Sequence, residues 1–188
     1  KIPDGKGPCV NVQSELTAYN FAGDYTAWFY NGENHNIGPE KLTETDGTRL
    51  PVMTVKAGDK HYMAIHEACL ETGAPLVLQS KGGESLFSVA SKPTSLSPGY
   101  TSAWRVVLYG TTPGVLTDSH LLELLNPDPD SRYDFSWVKP GLAVWDWRIN
   151  GAVWDGFTYG LSYPSWVRMV DFAAEQGYKY LVLDATWY

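Results

Sequence analysis

Pro140-Gly141-Leu142-Ala143-Val144-Trp145-Asp146-Trp147 opens a segment whose grammar differs from everything before it. The Leu142–Trp145 run is compact and apolar, as suits a strand buried on both faces of a parallel sheet. A loop rich in Gly and aromatic residues follows, from Asp146 to Gly160. Pro164–Gln176 then reads as a helix: Ser162 is an N-cap, Pro164 sits in the first turn, and Gly177 falls just past the end. Val167, Val170 and Ala174 recur on one expected apolar face. Tyr180-Leu181-Val182-Leu183 is a second buried strand, ending in Asp184. Strand, loop, helix and strand in this order make one βαβ unit, the repeating element of parallel α/β folds. A single such unit cannot cover its own sheet. The chain is therefore expected to be a piece of a longer polypeptide, ending shortly after the second strand.

Working outward toward the N-terminus, the segment up to Trp104 reads as all-β. Short stretches rich in β-branched and aromatic residues lie at Thr26–Tyr30, Pro51–Val55, Tyr62–Ile65, Pro75–Gln79 and Leu86–Ala90. Turn material separates them: Asn31-Gly32, Asp46-Gly47, Lys56-Ala57-Gly58-Asp59 and Lys81-Gly82-Gly83. Leu76 and Leu78 supply the alternation of a half-buried face. Trp104–Tyr109 adds a well-buried strand. Strands at this spacing suggest a sandwich, but too few of them for a complete one. Between the two regions, Asn126-Pro127-Asp128-Pro129-Asp130 cannot extend a helix or a central strand. The expected organisation is thus an incomplete N-terminal β-sandwich over 1–109, a linker region over 110–138, and an α/β segment over 139–188. Leu121, Leu122, Leu124 and Leu125 in the linker region imply that it packs on something.

Composition narrows the function. The chain carries a formal net charge of −7, which repels phosphate backbones and argues against nucleic acid as a partner. No apolar run approaches the ~20 residues that span a bilayer as a helix. Cys9 and Cys69 are too few and too far apart for a disulfide framework or a metal knuckle. The unusual figure is 14 % aromatic residues, with eight Trp and twelve Tyr, many of them among Asp, Asn and Gly. The C–H face of a pyranose is flat and apolar while its rim needs carboxylates and amides, so such clusters suit sugar binding. Aromatics are first of all core material, however, and composition alone does not decide between the two roles.

In parallel α/β proteins functional residues gather at the carboxyl ends of strands. Here those ends are Trp145-Asp146-Trp147-Arg148 and Asp184-Ala185-Thr186-Trp187-Tyr188. Asp184 closes a wholly apolar strand, where a carboxylate is costly unless it is used or paired. Asp146 serves equally well as a helix cap or as a sugar ligand. His66-Glu67 is a further candidate, but Leu70 stands where a zinc-protease motif requires its second His. No nucleophile elbow, P-loop or dinucleotide fingerprint is present.

Several stretches taken together resemble glycoside hydrolase family 97. They are Tyr62-Met63-Ala64-Ile65-His66-Glu67-Ala68, Thr101-Ser102-Ala103-Trp104-Arg105-Val106-Val107, Ser136-Trp137-Val138-Lys139-Pro140-Gly141, Val144-Trp145-Asp146-Trp147, Val170–Gly177 and Tyr180–Asp184. The resemblance implies a β-sandwich followed by the first β–α–β unit of a (β/α)8 TIM barrel. It implies an exo-acting hydrolase of terminal α-glucosides or α-galactosides, dependent on calcium, with Glu67 as a metal ligand. Asp184, Trp187, Trp145, Asp146 and Trp147 would bind the terminal sugar of an oligosaccharide. The family's catalytic carboxylates would lie beyond Tyr188, on later barrel strands, leaving this chain inactive without the remainder of its own polypeptide. A bacterial periplasmic or secreted location goes with the resemblance. The competing reading is a non-catalytic carbohydrate-binding β-rich module, which has no need of the βαβ unit.

Overall fold

The computed structural model describes residues 1–33 and 35–184. The chain divides into two compact units, Lys1–Pro129 and Asp130–Tyr188. The larger unit is mostly β-sheet. It begins with β1 (Val10–Val12), β2 (Ala18–Asn20), β3 (Thr26–Tyr30) and β4 (Asn36–Lys41). A 3₁₀ turn, Leu42–Glu44, leads into the long strand β5 (Asp46–Lys56). Then come β6 (Tyr62–Ala68), β7 (Leu78–Lys81), β8 (Leu86–Val89), β9 (Thr94–Leu96) and β10 (Trp104–Gly110).

The expected strands are present, with instructive departures. Asp46-Gly47 is not a turn; it starts β5 and pairs with Lys81 and Ser80. The reversal occurs earlier, at the 3₁₀ turn, where Asp24 accepts hydrogen bonds from the Thr43 N–H and hydroxyl. β7 begins only at Leu78, because the Leu76 N–H is directed to the Glu67 carboxylate rather than to a neighbouring strand. β4 contains Gly38-Pro39, which reads as turn material in sequence. It is tolerated here because, among the described residues, β4 pairs with β3 alone, and an edge strand can spare a donor.

β5 organises the sheet. Its first residues, Asp46–Arg49, pair antiparallel with β7, which continues through β8 to β2. Its second half pairs with β3 on one side and β6 on the other, and β6 pairs with β10. The sheet therefore curls about β5, and its inner faces enclose one core. Ala27 and Phe29 of β3, Met53 and Val55 of β5, Ile65 of β6, Leu76 and Leu78, and Phe87 and Val89 of β8 fill it, with Leu42 beneath. Phe87 meets Phe29 with ring centroids 5.8 Å apart and Phe21 edge-on at 6.4 Å. Burial of each large side chain contributes about 1.5–3 kcal/mol, well above the ~0–1 kcal/mol of an exposed ion pair such as Lys1–Asp4.

The opposite face of β6 and β10 forms a second, smaller core from Ala64, Ala68, Val106 and Leu108. Two single-turn helices, α1 (Gly114–Thr117) and α2 (Leu121–Leu124), cover it with Leu116, Leu121, Leu122 and Leu125. This is what the leucines of the 110–138 segment pack upon; Leu124 alone of that set points to solvent. Asn126 secures the arrangement, accepting the Cys69 N–H and donating to the Leu122 carbonyl.

The smaller unit contains β11 (Ala143–Trp145), α3 (Asp146–Ile149), β12 (Val153–Trp154), β13 (Phe157–Thr158), α4 (Tyr163–Glu175) and β14 (Tyr180–Val182). β11 and β14 are parallel, with Ala143, Val144 and Trp145 opposite Tyr180, Leu181 and Val182. The stretch read as a loop, Asp146–Gly160, is a helical turn followed by a hairpin. Asp155 and Gly156 both have positive φ, the signature of a two-residue turn matched to strand twist. Three expectations about burial do not hold. β10 is not well buried, since Trp104, Val107 and Tyr109 are exposed. Neither β11 nor β14 is buried on both faces. The inward face of α4 is Ser165, Met169 and Ala173, while Val167 and Val170 are 40 % and 51 % exposed. Polar anchors orient the helix: the Ser165 hydroxyl accepts the Gly160 N–H, and the Trp166 indole donates to Asp146.

Gly38 has φ +116°, and a Cβ there would lie 2.6 Å from the Ala27 carbonyl oxygen. Gly38→Ala is expected to destabilise the larger unit by about 2 kcal/mol or more, read as a lower midpoint in urea. An unchanged midpoint would contradict the β3–β4 register.

Candidate functional site

Two constellations of polar side chains stand out, one in each unit. The first lies on β6 and β10. Glu67 shares the strand face of Ile65, so it points to the side of the main core, and Arg105 stands directly opposite it in register. Arg105 Nη1 donates to Glu67 Oε2 at 2.9 Å. Its Nε and Nη2 form a two-pronged contact with Glu15 Oε1 and Oε2 at 2.9 and 2.7 Å. The Leu76 N–H donates to both Glu67 oxygens at 2.9 Å. The Glu67 side chain is only 9 % exposed. A carboxylate so placed is tolerable because it is paired and hydrogen-bonded.

Hydrogen bonding from Arg105 holds the Glu15 carboxyl below its usual range, against the opposing effect of burial. The same contact raises the already high pKa of Arg105. Tyr19 lies close by, its pKa raised chiefly by burial, and its hydroxyl has no partner among the described residues.

Among the described residues no group of three or more His, Cys, Asp or Glu side chains is placed to hold a metal ion. Calcium takes about six to eight oxygen ligands. Glu67 fits that chemistry as a single ligand. A carboxylate offers about four lone-pair positions, and the Leu76 and Arg105 contacts leave one on Oε1 unused.

The second constellation lies at the carboxyl ends of β11 and β14. The Trp145 indole N–H donates to Asp184 Oδ2 at 2.9 Å. Asp146 is fully buried. Its Oδ1 accepts the backbone N–H of Asp184 at 3.0 Å and its Oδ2 accepts the Trp166 indole N–H at 2.9 Å. Asp146 therefore holds the Asp184 main chain from a fully buried position, which keeps its own carboxylate away from solvent and from a ligand there. Trp145 is 37 % and Trp147 51 % exposed, and the Arg148 guanidinium lies over the Trp145 ring at 5.4 Å. Trp187 lies outside the described residues.

The structure thus brings Asp184, Trp145 and Asp146 together at one sheet end and puts Glu67 in the other unit. Sequence reasoning gave no role to Arg105, Glu15 or Trp166. Arg105 carried a signal, since a charge inside the apolar run Trp104–Tyr109 demands a partner. Glu15, ninety positions away along the chain, carried none.

The Arg105–Glu15 pair predicts a direction for acid sensitivity. A carboxyl whose folded pKa is depressed stabilises the fold above its unfolded pKa, and that contribution is lost as pH falls through the lower folded value. The thermal midpoint is expected to drop as pH goes from about 5 to about 3, and Glu15→Gln to flatten part of that drop. A midpoint profile identical in the variant would show that the pair contributes nothing.

The family model described as glycosyl-hydrolase 97 N-terminal matches residues 1–127. The chain is 28 % identical over 193 residues to a retaining alpha-galactosidase of Bacteroides thetaiotaomicron, covering 88 % of this chain and 29 % of that protein. Identity is also 28 %, over 207 residues, to a probable retaining alpha-galactosidase of Streptomyces bingchenggensis, covering 100 % of this chain and 29 % of that one. A solved structure of a glycoside hydrolase family 97 enzyme from Pseudoalteromonas sp. strain K8, in complex with acarbose, shares the fold. Its TM-score is 0.76 at 24 % identity, over 95 % of this chain and 29 % of that one. The chain accordingly spans 29 % of the length of the curated relatives it matches. With the match running from β1 through the helices that cover the second core, this chain belongs to glycoside hydrolase family 97, and residues 1–127 are its N-terminal domain.

Proposed function

We propose that this chain is part of an exo-acting glycosidase that cleaves terminal α-glycosidic linkages, galactosyl before glucosyl, and that it grips the sugar without breaking the bond. The observation that carries the reading is the pairing of Asp184 with Trp145 at the carboxyl ends of two parallel strands. That is where α/β barrels place ligand-binding residues. In this reading β11, α4 and β14 are the first strand–helix–strand unit of a (β/α)8 barrel, with the 110–138 region leading into it from the sandwich. Asp184 would accept hydrogen bonds from vicinal hydroxyls, and the exposed faces of Trp145 and Trp147 would stack on the ring; Trp187 belongs to the same proposed set. The galactosyl preference follows the names of the two bacterial relatives.

Retaining hydrolysis needs two carboxyl groups about 5–5.5 Å apart flanking the scissile bond. Asp146 is too deeply buried to be one of such a pair with Asp184. The bond-breaking carboxylates are therefore assigned to the remainder of the polypeptide, and the 188-residue chain alone is expected to be inactive. Export to the bacterial periplasm or medium belongs to the same proposal, on the habit of the family. No helix among the described residues is long and apolar enough to cross a membrane.

The full polypeptide that carries this chain is expected to hydrolyse an aryl α-galactoside, and the isolated chain to show no turnover. Turnover by the isolated chain would overturn the division of labour. No turnover of any aryl α-glycoside by the full polypeptide would overturn the glycosidase reading.

Calcium is proposed as the metal, with Glu67 giving one oxygen ligand; when bound it would supply a fixed positive charge. At a hundredfold excess over Kd a ligand bound only by the folded state stabilises it by about 2.7 kcal/mol. Chelation is therefore expected to lower the unfolding temperature of the full polypeptide, and added calcium to restore it. An unfolding temperature indifferent to chelation would remove the metal from the proposal.

A further inference from the structure

We infer that Asp146, braced by Trp166, is a positioning residue that sets where Asp184 meets the sugar; the inference rests on the reading of Asp184 given above. Trp145 and Asp146 are consecutive, yet they hold Asp184 at two different atoms. The Trp145 indole takes the Asp184 carboxylate, and the Asp146 carboxylate takes the Asp184 backbone N–H. Main chain and side chain of one residue are thereby fixed from one dipeptide at the end of the neighbouring strand. The third contact, Trp166 Nε1 to Asp146 Oδ2, ties this arrangement to the first turn of α4.

Core filling does not explain the choice of residue at 146. A fully buried carboxylate bears a desolvation cost, and a well-packed apolar side chain of similar size is often as stable or more so. Among the described residues no cation pairs with Asp146; its recorded partners are two neutral N–H groups. What the carboxylate adds is direction. Two charge-assisted bonds, one to a backbone amide and one to an indole, specify the position of the β14 end more narrowly than apolar packing. The backbone donor is the residue whose side chain faces outward at the sheet end. A ligand-gripping group gains from such support because displacement by about 1 Å can cost about a hundredfold in rate.

The test uses the full polypeptide with Asp146→Asn, Trp166→Phe and, as reference, Asp184→Asn. Asp146→Asn keeps the volume but turns one acceptor into a donor facing an N–H group. Trp166→Phe removes only the indole donor and keeps an aromatic ring. Asp146→Asn is expected to lower kcat/KM on an aryl α-galactoside by about 10- to 100-fold, with KM raised, and Trp166→Phe to act less strongly in the same direction. Hydrogen exchange of the peptide containing Asp184 is expected to quicken in both variants while exchange over β5 and β6 stays unchanged. A merely structural residue would instead shift stability and exchange across the unit without the selective rise in KM. If Asp184→Asn impairs the enzyme while the other two variants leave KM and exchange at Asp184 unchanged, the positioning role is overturned and the reading of Asp184 stands. If Asp184→Asn has no effect, that reading falls and the positioning role with it. Should Asp146→Asn fail to fold, Trp166→Phe decides alone by the same two readouts.

Discussion

β5 is the element on which the larger unit depends. Eleven residues of one strand have to satisfy three neighbours: β7 over Asp46–Arg49, then β3 and β6 over the second half. Because a strand pairs on only two edges, the change of partner along its length forces the sheet to curl. The curl brings Leu78 and Phe87 from one side over Phe29, Met53 and Ile65 from the other. A flat sheet with the same strands would leave those side chains in water, so the partner exchange along β5 and the core are one constraint seen twice.

That constraint also explains where charge can be carried. Period-2 alternation puts Ile65 and Glu67 on the same face of β6, so a strand that buries Ile65 must bring Glu67 inward. The Arg105 guanidinium opposite it and the Leu76 N–H satisfy the carboxylate, and Glu15 completes the three-residue group from the N-terminal segment. Losing one member of the group would leave a poorly solvated charge behind. The smaller unit repeats the logic with neutral partners, as Asp146 is satisfied by an indole and an amide.

Strand periodicity made most of the β elements readable, because alternation of Val, Ile, Phe and Tyr against polar residues is a local property. Compact apolar runs are local too, and they made Thr26–Tyr30 and the parallel pair of Ala143–Trp145 and Tyr180–Val182 legible. Asn36–Lys41 was hidden because Gly38-Pro39 is turn chemistry everywhere except at a sheet edge, and edges are not a local property. The Asp155-Gly156 hairpin was hidden by the opposite difficulty, a strong turn signal flanked by strands of only two residues. The inward face of α4 was misread because apolar periodicity favoured Val167 and Val170, whereas Ser165 and Trp166 made the orienting contacts through hydrogen bonds.

The amino-acid sequence by itself determined the family, most strands of the larger unit, the strand–helix–strand order of the smaller one, and the place of Asp184 just past an apolar run. Each of these depends on residues close together in the chain or on a pattern extending along it. Only the tertiary structure decided that Glu67 is held by Arg105 and Leu76, that Glu15 joins them, and that buried Asp146 accepts the Asp184 backbone N–H. The physical reason is the same in each case. A carboxylate is defined by the donors that reach it, and those donors come from 9 to 90 positions away, where no local pattern points.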